Sequence, residues 1–568
     1  MSYFLKKTKL NNKTYLAIYE GVYDSQKGRA VNKTYKSLGS LETLIKNGIK
    51  DPIKLFQKEV ERLNQARIVE SVRKISDNSP LTYLGYFPYT WILNKLKIKK
   101  HVDLHKLVTD FKFDLYELFS SLIYARSVCP CSKSKTFHDV LPCLYDEYNY
   151  SYDQLLDGLD YMGNDYEKFI EMFVVQVKRA YGINTEKTYF DCANFYFEID
   201  REDDFRRKEP SKGDRKDPLV GIGLLLDANQ IPIAMKLYPG NESEKPVLRE
   251  VIEQMKRHSR TTGKTIHVAD KGLNCAKNIV YSRENGDGYL FSKTVKGLSE
   301  KEKVWVLNDS GFKSVKDNRG NIIYIYKSCV DEFPYTIEYG DKNVTVHITE
   351  KRLLTFNPAL AKKKREEIKK MIDKIKSLTL SKAKREEYGE SSKYVNFTDK
   401  SGNWAVVSLN QEAIDKDLRF AGYNLLVTSE TQMTDQDMYD IYHNLCCIEE
   451  SFKMMKSDLD ARPVFLHKEN SIKGHFLICF FAVLLERIFQ VKILGNKFCT
   501  SEIINFVKSF KAVKTRNQYI NMATRSKIID ELSSMFSLPL NSYYLSELQL
   551  KQIFAGKKLR NTWLVEVE

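Results

Sequence analysis

Two acids in this chain each close a short apolar run. Thr188-Tyr189-Phe190-Asp191 and Thr265-Ile266-His267-Val268-Ala269-Asp270 both read as buried strands that end on a carboxylate. In an open α/β sheet that is where a site is usually presented. A third acid, Glu449, lies in Asp440–Lys456, which reads as helix. Along that helix Tyr442, Glu449, Lys453 and Lys456 follow at spacings of seven, four and three and fall near one face, while Glu450 points elsewhere. Three carboxylates on strand ends and a nearby helix suit hard divalent ions. Two such ions, about 3.5–4 Å apart, activate the attacking oxygen and stabilise the leaving oxygen when a phosphodiester is broken. The lysines on the same face would then meet phosphate. Plainer readings exist: a strand-end acid also serves as a turn former or helix N-cap, and a Glu–Lys pattern is common on solvated helices.

The surrounding elements must hold these residues. From about residue 185 the order β, β, β, α, β, α, β predicts an α/β fold, a mixed sheet with helices on its faces. Before it, a β-hairpin (Tyr15 to Leu38) and a long helical run give residues 1–75 as a hairpin-plus-helix unit and 76–182 as a helical region. The catalytic domain is expected over 183–295 and 422–495. Residues 296–421 interrupt it as an inserted β-rich subdomain. That insertion has β-like runs at Val304–Leu307, Ile322–Tyr326 and Val344–Thr349, and a basic helix from Pro358. One helix is expected from Thr434 to Lys456, another from Ile472 to Leu494, and a helical region over 496–568.

Composition narrows the class. Of 568 residues, 42% are hydrophobic and 12% aromatic, so the chain is globular. Lys plus Arg outnumber Asp plus Glu by 90 to 74, net +16, which favours a polyanionic partner. The ten cysteines lack paired zinc-finger spacing; Cys129, Cys131 and Cys143, with His138, read as reduced thiols and a histidine in a helical segment rather than as a zinc site. The N-terminus has no apolar signal core, and the most apolar run, Phe476 to Val483, is too short to span a bilayer. A soluble protein of a reducing cytoplasm, without membrane association, is expected.

Tyr442, Glu449 and Lys456 match the "YREK" signature: Tyr, two residues, Arg, three residues, Glu, six residues, Lys. In this the chain resembles the DDE transposases of bacterial insertion sequences. The Arg place holds Leu445, with Lys453 or His443 as candidates for its phosphate contact. Further blocks resemble the same family: Tyr189 to Glu198 around the first acid, Ser211 to Pro218 and Tyr238 to Glu244 after it, Val268 to Asn274 around the second, and Arg462 to His475 after the third.

The resemblance implies a ribonuclease-H-like fold with a β-rich insertion between the second Asp and the Glu. It implies Asp191, Asp270 and Glu449 as catalytic residues and ligands of two divalent ions, Mg²⁺ with Mn²⁺ as substitute. Tyr442 and Lys456 would contact DNA phosphate, and the helical region 76–182 would be the DNA-end-binding region. The activity implied is binding of the element's terminal inverted repeats, cleavage of the ends and joining to target DNA, by a homodimer in a synaptic complex on the bacterial nucleoid. A ribonuclease-H-like nuclease that cuts without joining, and an inactive transposase-derived DNA-binding protein, are the alternatives. By place alone, Trp305 and Trp404 are candidates to receive a flipped base, although core packing is the plainer role.

Overall fold

The computed structural model describes residues 3–10, 13–24, 29–73, 79–199, 201–208, 217–259, 263–340, 342–380, 385–397, 406–515 and 518–556. The chain divides into two compact units, Met1–Pro80 and Leu81–Glu568.

In the first unit β1 (Tyr3–Leu10), β2 (Lys13–Asp24) and β3 (Arg29–Ser40) form an antiparallel sheet. Leu16 and Ile18, two apart on β2, are both buried, as a one-sided sheet requires. Two helices follow, Leu41–Lys46 and Pro52–Arg73. The Ser40 hydroxyl caps the first by accepting from the Thr43 amide. Asn64 on the second brackets the Tyr3 backbone from both sides. The expected hairpin turn at Ser25–Gly28 lies outside the described residues.

The second unit opens with β4 (Leu81–Tyr83) and a helical region that includes Leu115–Val128, Tyr152–Asn164 and Tyr166–Tyr181. Then β5 (Lys187–Tyr196), β6 (Leu219–Leu226) and β7 (Pro232–Pro239) make an antiparallel meander. β8 (Ile266–Ala269) and β9 (Gly288–Lys293) run parallel to β5. The spatial order β7-β6-β5-β8-β9, three antiparallel strands followed by two parallel ones, is the ribonuclease-H-like arrangement. β6, Leu-Val-Gly-Ile-Gly-Leu-Leu-Leu, is buried along its whole length because both faces of the sheet are covered.

The insertion does not stand apart as a whole. β10 (Lys313–Lys316), β11 (Ile322–Tyr339) and β12 (Lys342–Phe356) extend this sheet. β13 (Val395–Phe397) and β14 (Val406–Leu409) form a separate pair, and β15 (Tyr423–Thr428) bridges β12 and β9. The helices Pro358–Leu380 and Gln411–Arg419 close a small core of their own around Ile368, Ile375, Tyr394 and Ile414. Residues 304–307, expected as strand, are instead the last turn of the helix Glu300–Leu307. Ser299 and Glu302 form a capping box there, and that start signal overrides the β-branched run. Trp305 on this helix is partly buried against the core, its carbonyl accepting from Lys327 Nζ at 2.6 Å. Trp404 lies outside the described residues.

The apolar run at 476–483 sits in the helix Glu469–Ile488, which is buried almost all round. No described helix is long and apolar enough to cross a membrane. Phe481 packs on Phe119 and Phe173 of the helical region, and Phe476 on Phe195 of β5. The helix Tyr152–Asn164 crosses it backbone to backbone. A Cβ on Gly163 would run into the Asn470 carbonyl, and one on Gly474 into that of Leu159. After it, short strands β16 (Lys511–Lys514), β17 (Tyr519–Asn521) and β18 (Tyr544–Leu545) interleave with three helices, and β16 pairs with β4.

Candidate active site

The register of β5 and β8 brings the first two acids together. Phe190 pairs with Ala269, so Asp191 and Asp270 are the next residues on adjacent parallel strands. β8 ends there. β5 does not: it continues to Tyr196, still paired with β6, so Asp191 lies mid-strand and not at a strand end as expected.

The segment carrying Glu449 is not one helix. It is a helix Asp435–His443, a break at Asn444–Leu445, a second helix Cys446–Lys453 and a π-turn at Met454–Asp458. Leu445, at the signature's Arg place, is buried in the core. The break leaves Tyr442 beside the second acid, where its hydroxyl donates to Asp270 Oδ1 at 2.8 Å. The π-turn re-aims Lys456, whose ammonium lies 5.2 Å from the centre of the Phe195 ring on β5. Lys453 and Glu449 stay exposed on the second helix.

That helix is fixed from behind. Arg487, buried on Glu469–Ile488, donates to the Cys447 carbonyl at 3.2 Å and to the Ser451 hydroxyl at 3.4 Å, and pairs with Glu450 at 3.2 Å. The two adjacent glutamates are thereby told apart: Glu450 faces Arg487, and Glu449 does not.

Three other acids bear on the ionisation of Asp191. Burial raises the Asp191 pKa to about 6; the Cys192 amide opposes this, while the charges of Asp270, Glu244 and Glu449 add to it. Glu244 is the residue that strand-end reasoning misses. It starts the helix Glu244–Ser259, and its carboxylate reaches the turn after Asp270, beside Gly272. Burial and the charge of Asp270 hold the Tyr442 hydroxyl well above the usual phenol range, so it remains a donor. Burial and nearby Arg462 lower the Lys456 pKa, while Asp191 raises it.

Such a set, carboxylates whose mutual charge is only partly offset, suits a hard divalent ion. Among the described residues no three His, Cys, Asp or Glu side chains already converge at metal-ligand spacing. This includes Cys129, Cys131, His138 and Cys143, whose cysteines are free thiols.

No curated protein matches the chain. Among solved structures it is similar to a piggyBac transposase in a synaptic complex with hairpin DNA, at 10% identity, over 70% of either chain, with a TM-score of 0.36. A family model, the transposase DDE domain, matches residues 197–485. That span covers half of the chain and contains Asp270 and Glu449, and it starts just past Asp191. By that match the chain belongs to the transposase DDE-domain family.

Proposed function

We propose that the protein is the transposase of a bacterial insertion sequence of the "YREK" branch. In this reading it binds the terminal inverted repeats of its element, cleaves the DNA ends and joins them to target DNA, as a homodimer that holds two ends. One relationship carries the reading: Asp191 and Asp270 stand side by side on parallel strands, and Tyr442, from the segment that bears Glu449, is hydrogen-bonded to Asp270.

Asp191, Asp270 and Glu449 would hold two divalent ions, Mg²⁺ or Mn²⁺. When bound, such ions polarise the phosphoryl oxygen and make water or a 3′-hydroxyl a competent nucleophile. The chain's own residues do the rest. Tyr442 keeps its proton and orients the Asp270 carboxylate. Lys456, held over Phe195 beside Asp191, gives a positive charge to the phosphate at the cut. Lys453, exposed one turn from Glu449, reaches the DNA backbone further out. Leu445 offers no charge, so the contact made by the signature's Arg falls to Lys453 or His443.

The test is a labelled duplex ending in the element's repeat, incubated with Mg²⁺ or Mn²⁺ and a target plasmid. Wild type should nick at the repeat boundary and join the end, and Asp191→Asn and Glu449→Gln should do neither. Cleavage without joining would leave a nuclease. Repeat binding that never leads to cleavage would leave an inactive, DNA-binding descendant.

A further inference from the structure

Away from the acids, a cavity of about 390 Å³ opens between the helical region and the segment that follows Lys456. Its walls carry two buried cations: Lys133 is 6% exposed and Arg126 4%. The Lys133 ammonium meets Nδ1 of buried His475 at 3.2 Å. His475 Nε2 lies 3.1 Å from the Ala461 carbonyl. Nε2 therefore carries the proton, and Nδ1 accepts from Lys133. Arg126 donates to the carbonyls of Cys131, Leu459 and Asp460. The one acid on the wall, Asp460, is exposed at a left-handed turn, and no ion pair joins it to either cation among the described residues.

A buried ammonium with no counter-charge is costly unless something anionic completes it. Burial and the charge of Arg126 accordingly lower the Lys133 pKa to about 7. Beside Ser132 and Ser134, the wall also carries an apolar part: Phe465, 66% exposed, together with Tyr152, Pro463 and Leu466.

We propose that this cavity binds a nucleoside phosphate, with Lys133 beside Arg126 taking the phosphate and Phe465 offering a face to the base. The volume is that of a small-ligand site, and aromatic faces accept any base by stacking. The nucleotide has two possible sources, the free pool or a DNA strand. The wall begins only four residues beyond Lys456, but the proposal does not depend on cleavage at the acids.

Isothermal titration of the full chain tests it, with inorganic phosphate, dAMP, deoxyadenosine and a 5′-phosphorylated single strand as probes. Lys133→Met should weaken dAMP or the strand at least tenfold and keep or raise Tm. Phe465→Ala, at an exposed position, should weaken dAMP several-fold and leave inorganic phosphate unchanged. Deoxyadenosine should bind much more weakly than dAMP. Binding of dAMP indicates the free pool as source; binding of the strand alone indicates DNA. Asp191→Asn should leave all of this intact, so failure of the catalytic reading and failure of this one are separable. Equal affinities in wild type, Lys133→Met and Phe465→Ala, or no binding of dAMP or strand at millimolar concentration, would overturn the proposal.

Discussion

The Tyr442 hydroxyl donates to Asp270 across 172 residues of sequence, and so ties the segment that carries Glu449 to the end of β8. Tyr442→Phe removes this bond and keeps the ring. A hydrogen bond to a charged group contributes about 1.5–3 kcal/mol to stability, so Tm should fall by a few degrees, and single-turnover cleavage should slow because Asp270 loses the donor that orients it. A variant that cleaves at the wild-type rate would deny Tyr442 any part in holding Asp270.

Glu449 and Glu450 are neighbours with different tasks. Glu449→Gln should abolish cleavage and leave stability intact. Glu450→Gln weakens only a half-exposed pair with Arg487. Such pairs contribute about 0–1 kcal/mol, so cleavage should stay within a few-fold of wild type. Kinetics and melting of the two variants side by side decide it; equal losses would mean the acids are not distinguished.

Divalent ions should stabilise the folded chain without DNA, because they bind it and not the unfolded chain. In a thermal melt, millimolar Mn²⁺ should raise the Tm of wild type, and the rise should shrink in Asp191→Asn. An equal rise in both would place ion binding elsewhere.

Arg487→Met should destabilise by about 1–3 kcal/mol, the typical effect of leaving buried acceptors without their donor. It should also slow cleavage, because the Cys447 carbonyl and Ser451 lose the donor that seats the helix of Glu449. Urea melts together with cleavage rates test this; a slowdown without destabilisation would contradict the seating role.

Glu486 gives the protein a pH signature. Burial raises its pKa to about 8; Arg487 opposes that, and Glu450 and Asp458 add to it. The carboxyl near 4.5 in the unfolded chain is then lower than in the folded one. Between those values the folded state binds more protons, so stability falls as pH rises and levels off above about 8. Glu486→Gln should flatten this slope and add on the order of a few kcal/mol at pH 8.5. Urea melts at pH 5 and 8.5 measure it, and parallel slopes would refute it.

Much of the site is legible in the sequence because it is local. Val268-Ala269-Asp270 announces a strand that stops on an acid, and it does. Asp191 is misplaced by the same logic, since its apolar run stops while the alternation of Ala193 and Phe195 carries the strand on to Tyr196. The spacing of Tyr442, Glu449 and Lys456 is visible, but not the break and π-turn that aim two of them. Glu244, Arg487 and the Lys133–His475 pair depend on contacts between distant segments, which no periodicity encodes.

The bare crossing of Gly163 over Gly474 sets the mechanical character of the molecule. With no side chain between them, the two helices pack backbone against backbone, and Gly474→Ala should cost about 1–3 kcal/mol or more in a melt. The helical region after residue 81 is thus a fixed shoulder of the catalytic body rather than an arm on a hinge. If, as proposed, that region binds the element's ends, the offset between recognition and cut is set by this packing, as on a ruler.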